Sequence, residues 1–168
     1  MTEPTMSTTT GERIGPPYEQ LQALGLVLPP PRPPSATYVP VVLEAGLVYL
    51  SGQGPISASG KVFLGKVGTD LSSEEGYEAA RQAGLNLLSA LEQFAGSLTR
   101  VSRIVKVFGM VNAGPDFKHH PQVVNGCSDM LVAVFGEEIG RHARSAVGMG
   151  SLPSNIAVEI EMIAALRD

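Results

Sequence analysis

The stretch ARSAVGMGSLPSNIAVEIEMIA, residues 143–164, carries two strand patterns around one turn. In Ala143–Gly150, strand alternation sets Ser145, Val147 and Met149 on one face and Arg144, Ala146, Gly148 and Gly150 on the other. In Val158–Met162 the apolar residues share a face, so Glu159 and Glu161 share the opposite one. Leu152-Pro153-Ser154-Asn155 has the chemistry of a turn between them. Arg144 is left beside very small neighbours. Either that space receives a carboxylate, which two guanidinium N–H groups can meet in a plane, or it lets a neighbouring backbone approach while Arg144 pairs with a structural glutamate. The two glutamates read as a solvated strand face, or Glu159 serves as the acid–base partner of Arg144. If the two strands pair directly, Arg144 and Glu159 share a face only in a register where opposing residue numbers sum to an odd value.

Working outward, Ser72 followed by Glu75 is a capping box, and Tyr77, Ala80, Gly84, Leu87, Leu88, Leu91 and Phe94 recur at helical spacing, which predicts a helix over 73–95. Ile104–Val111 is apolar on both faces, as a central strand would be. A second helix follows Pro121 with the stripe Val123, Val124, Cys127, Met130, Leu131, Val134 and Phe135. Val39–Leu43 and Leu47–Ser51 read as a hairpin about Glu44-Ala45-Gly46, and Lys61–Val67 as a third strand. This order of elements gives an α+β fold, a mixed sheet with two main helices on one face. Residues 1–37 form an N-terminal extension, with a flexible tail, a short helix broken at Gly25 and a proline-rich strap, ahead of one domain at 38–168.

Composition excludes several classes of function. A net charge of −4, with twelve scattered Lys and Arg, lacks the basic stripe of a nucleic-acid binder. No apolar run reaches the roughly 20 residues needed to span a bilayer, and the start lacks a secretory pattern, so a cytosolic location and no membrane partner are expected. Low charge (17%) points to surface covered by further copies of the chain. Cys127, on an apolar helix stripe, reads as a buried inert thiol. His119, His120 and His142 lack ligand spacing, so no metal is expected. Ser51-Gly52-Gln53-Gly54 lacks the ending of a phosphate loop, although its glycines could present backbone N–H groups to a ligand.

Three segments taken together resemble the Rid family of reactive enamine/imine deaminases, also called the YjgF or L-PSP endoribonuclease-like family. They are Val48-Tyr49-Leu50-Ser51-Gly52-Gln53-Gly54-Pro55, then Arg144-Ser145-Ala146-Val147 with Leu152-Pro153, and Val158–Ala164. The resemblance covers about Tyr38–Ala165 and implies a chorismate-mutase-like fold, a homotrimer with clefts between subunits, and no cofactor. It further implies that Arg144 holds a substrate carboxylate and Glu159 positions or activates water. Ser51, Gly52, Asn125 and, near the N-terminus, Tyr38 match positions lining or supporting the cleft. The implied reaction is hydrolysis of 2-imino or enamine acids to 2-keto acids and ammonia; the alternative is a non-catalytic trimeric binder or sensor of small carboxylic acids. RNA cleavage finds no support in an acidic chain without a histidine pair. Where many deaminases carry Pro before the arginine and Cys two after it, this chain has Ala143 and Ala146, which reshapes the pocket. The proline-rich lead and the His142–Gly148 pattern resemble a less characterised branch.

Overall fold

Ser72 fixes where the longest helix begins: its Oγ accepts the Glu75 N–H at 3.1 Å while the Glu75 carboxylate accepts the Ser72 N–H at 2.8 Å. Both orphan donors at the helix start are thereby satisfied. In the computed structural model, which describes residues 15–33 and 36–167, this helix, α2, runs Ser73–Ala95 and stops at Gly96 in the left-handed region (φ +80°). The span is the one its periodicity predicts. The other elements are α1 (Pro16–Ala23), β1 (Val41–Glu44), β2 (Leu47–Gln53), β3 (Val101–Asn112), α3 (His120–Gly140, broken at Gly136), β4 (Ala143–Met149) and β5 (Val158–Leu166).

The strands form one mixed sheet in the order β1-β2-β5-β3-β4. β1 and β2 are joined by Ala45 (φ +50°) and Gly46 (φ +80°), the paired positive φ values of a tight hairpin turn. β3 is flanked by β5, antiparallel, and β4, parallel. Its two apolar faces suit that interior place. One sequence expectation, a strand at Lys61–Val67, fails here, and the pairing of the two C-terminal strands that the sequence left open does not occur. β4 and β5 do not pair, because the crossover through α3 lays β4 parallel to β3 and leaves it as an edge strand, while β5 enters on the other side of β3. Lys61–Val67 forms only isolated bridges (Ile56 with Val62, Leu64 with Ile156, Val67 with Ala113), since Gly60 (φ +84°) and Gly65 (φ +112°) turn the chain out of extended conformation.

α2 packs across β2 and β5, and α3 across β3 and β4, so both helices cover one sheet face. Leu87, Leu88, Leu91, Leu131, Ile104, Val107, Ile160 and Met162 fill the layer between. Small residues set how close the layers come. A Cβ on Gly109 would stand 2.5 Å from a Val124 methyl, and one on Gly126 only 1.9 Å from the Tyr77 carbonyl oxygen. α1 packs against α3, with Tyr18 and Leu21 buried, and the Tyr18 hydroxyl accepts the Leu98 N–H at 2.8 Å. The short helix read from the sequence thus falls at Pro16–Ala23. The tail expected before it, residues 1–14, lies outside the described residues, as do the strap residues Pro34 and Ser35.

Gly126→Ala should cost at least about 1–3 kcal/mol, since backbone and not a flexible side-chain end must yield. Urea denaturation measures this; an unchanged midpoint would contradict the close α2–α3 crossing.

Candidate functional site

Arg144 stands opposite Val107 on the sheet face that α3 covers. Pro121 suits the first turn of α3, where its missing N–H has no helical partner to lose. From that start, Asn125 and Ser128 fall three residues apart on one helix face. They take the guanidinium: Arg144 Nη1 donates to Asn125 Oδ1 at 2.7 Å and to Ser128 Oγ at 3.0 Å, and Nη2 donates to the Pro121 carbonyl at 3.3 Å. Among the described residues no carboxylate forms an ion pair with Arg144. The structural-glutamate alternative therefore has no partner there. Ala146, two residues along β4, pairs with Gly109 and adds no bulk to this edge.

Behind Ser128 stands His142, a residue the sequence reading set aside with the other histidines. Its Nε2 is 3.0 Å from Ser128 Oγ and its Nδ1 is 2.7 Å from the Gly140 carbonyl oxygen. Burial holds its pKa below the usual histidine value, the Gly140 hydrogen bond partly opposes this, and the nearby Arg144 charge lowers it further. Ser128 was missed as well. Both carried a signal: His142 lies two residues before Arg144, just ahead of β4, and Ser128 lies about one helical turn after Asn125.

A second group forms around β2 and β5. Ser51 Oγ donates to the Val39 carbonyl at 2.8 Å and its N–H to the Pro40 carbonyl, tying β2 to the segment that holds Tyr38, which is exposed. The β2–β5 register shifts between Leu50 and Gln53, and in that bulge Gly52 lies against the Glu159 side chain. A Cβ there would stand 2.2 Å from Glu159 Oε1, so only glycine leaves the carboxylate its place. Burial raises the pKa of Glu159, and the Glu161 charge raises it further. Glu161 itself lines a groove on the open sheet face with Val42, Tyr49, Lys106, Phe108 and Ile163.

The two groups do not meet within one chain. Glu159 stands opposite Met110, which stands opposite Val147, and Val147 faces away from the Arg144 side of β4. β3 also separates the two strands, a distance of about 10 Å in the plane of the sheet. The odd-sum pairing of Arg144 with Glu159 is thus corrected: β4 and β5 share no register. Arg144, Asn125 and Ala146 form one cluster, and Ser51, Gly52 and Glu159 another. Cys127 is fully buried, which pushes its thiol up to about 12 and keeps it protonated. His119 and His120 pack edge-on to Phe117 at the start of α3, and the His120 ring lies against Gly148 of β4. Among the described residues no helix is long and apolar enough to cross a membrane.

A five-stranded mixed sheet with two helices on one face and polar clusters at its edge strand and bulge defines an α+β protein of the chorismate-mutase-like class. The chain belongs to the YjgF/chorismate mutase-like family, also known as the Rid family, whose model matches residues 19–166. It is 40% identical to protein TCP17 of Trypanosoma cruzi, across 97% of this chain and all of that one. The structure of Atu1372 from Agrobacterium tumefaciens, a protein described as of unknown function, is 37% identical, covers 90% of this chain and 92% of its own, and superposes with a TM-score of 0.81. Escherichia coli TdcF with bound serine, 21% identical over 84% of this chain and 96% of its own, shares the fold at a TM-score of 0.57.

Glu161→Gln should lower the Glu159 pKa without returning it to the ordinary value, because burial is the larger cause. A carbon-13 titration of the Glu159 carboxyl reads this; an unmoved midpoint would mean that Glu161 does not act on it.

Proposed function

We propose that the chain hydrolyses 2-imino acids and their enamine tautomers to 2-keto acids and ammonia, in clefts formed between copies in a homotrimer. The observation carrying this reading is the state of Arg144. A guanidinium has five N–H donors, and three are committed to Asn125, Ser128 and Pro121. Among the described residues the Nε–H and one Nη2–H have no partner and no carboxylate pairs with the group, which leaves donors on neighbouring nitrogens for the two oxygens of a ligand carboxylate. The bound serine of TdcF is a ligand of that class in a protein of the same fold.

The division of polar groups into two clusters supports a shared cleft. Arg144, Asn125 and Ala146 of one copy would hold the acid, with Ser51, Gly52, Glu159 and Tyr38 supplied by the next. Exposed Val42, Tyr49 and the groove beside Phe108 give the open sheet face apolar surface that a further copy would cover. In the reaction, water adds to the imine carbon and the C=N pair moves to nitrogen. The carbinolamine then collapses, C–N breaks, and ammonia leaves as the carbonyl forms. A carboxyl with a raised pKa, as Glu159 has, can take the water proton and return it to the leaving nitrogen near neutral pH. Arg144 contributes by orientation. Ala146 in the place of the family cysteine leaves room beside the ligand and removes a thiol from it.

Generating 2-aminoacrylate in situ and following pyruvate should show acceleration by the wild-type protein. Arg144→Ala should lower kcat/KM by about 10- to 100-fold, the worth of hydrogen bonds to a charged group. Arg144-dependent pyruvate binding without turnover would favour the non-catalytic binder; an Arg144→Ala variant as fast as wild type would remove both readings.

A further inference from the structure

We propose that His142 is a positioning residue for Arg144, acting through the Ser128 hydroxyl. The proton positions follow from the contacts. The Gly140 carbonyl can only accept, so His142 Nδ1, 2.7 Å away, carries the proton. In the neutral ring Nε2 is then an acceptor, and the group facing it at 3.0 Å is the Ser128 hydroxyl, which must donate. With its proton turned to the imidazole, Ser128 presents an oxygen lone pair to Arg144 Nη1, also at 3.0 Å. Each atom in the chain from Gly140 through His142 and Ser128 to Arg144 has one role. Asn125 fixes Nη1 independently, so the relay sets the plane of the guanidinium and with it the direction of the free Nε–H and Nη2–H.

Protonation breaks this order. An imidazolium donates from both nitrogens, so Nε2–H would compete for the Ser128 lone pair and send the hydroxyl proton toward the guanidinium, placing two cations across one oxygen. Burial and the Arg144 charge both oppose that state and favour the neutral ring. Other charged groups near these elements are engaged elsewhere. Asp129 accepts from Tyr77, Glu137 pairs with Arg141, and Lys106, opposite Ala143 on β3, reaches Ser145. Arg144 is the charged group acting on His142 among the described residues.

The chain from His142 to Arg144 can be tested without ligand. Nitrogen-15 spectra should show His142 as the Nδ1–H tautomer, and both Ser128→Ala and His142→Ala should broaden an Arg144 Nε–H signal that is sharp in the wild type. An Nε2–H tautomer, or an Arg144 signal indifferent to both variants, overturns the relay. The consequence for binding rests on the proposed role of Arg144 and is read separately with pyruvate as probe. Ser128→Ala and His142→Ala should each weaken binding by about three- to tenfold, with the double variant no weaker than Ser128→Ala alone. His142→Gln, which restores an acceptor that does not titrate, should bind as wild type. Wild-type affinity should fall as pH drops below the ordinary histidine range, while His142→Gln stays flat. Additive losses, or the same pH profile in both proteins, overturn the proposal. An intact relay in a protein that binds no pyruvate instead counts against the carboxylate reading of Arg144.

Discussion

The parallel pairing of β4 with β3 through the α3 crossover is the constraint from which the rest follows. It makes β4 an edge strand, brings the first turns of α3 over Arg144, and places β5 with Glu159 beyond β3. One consequence is a guanidinium whose Nη1 and Nη2 donate to three oxygens of α3, with no ion-paired carboxylate among the described residues. Another is that the Glu159 carboxylate, its pKa raised by burial, stands on the opposite face. The same topology sets the Arg144 guanidinium and the Glu159 carboxylate apart within one chain.

Packing detail serves that arrangement. Gly109 and Gly126 let α3 approach the sheet and α2 closely, so Asn125 and Ser128 come within hydrogen-bond distance of a side chain rising from the strand below. On the other side, the bulge in β2 and the bare Cα of Gly52 leave the Glu159 carboxylate a half-buried seat in which it resists ionisation. Close contact at a few glycines thus sets the geometry of two distant polar groups.

Much of this was legible in the sequence, for identifiable reasons. The capping box of Ser72 and Glu75 and the stripe through Leu91 gave α2 to the residue, because helix ends and faces are local properties. Arg144, Asn125, Gly52 and Glu159 were singled out by their neighbours or by family resemblance, and the structure sets Arg144 against Asn125 and Gly52 against Glu159. What was not legible depends on which strands become neighbours. The turn at 152–155 left open whether the strands on either side of it pair, and the strand inserted between β4 and β5 comes from residues 101–112, which no local pattern records. Ser128 and His142 carried a spacing signal relative to Asn125 and Arg144, but their mutual contact follows from the α3–β4 crossing. Lys61–Val67 has strand-like residues, but Gly60 and Gly65 mattered more than its β propensity.

The central claim is that Arg144 and Glu159 serve one cleft from different copies, and subunit mixing tests it directly. Arg144→Ala and Glu159→Gln proteins, each strongly impaired alone, would be mixed in equal amounts, allowed to exchange subunits, and assayed for keto-acid release above the residual rate of either variant. Cyclic assembly predicts recovery of about a quarter of wild-type activity, the share of interfaces that unite an intact arginine with an intact glutamate. Assembled mixtures that stay inactive would contradict the account.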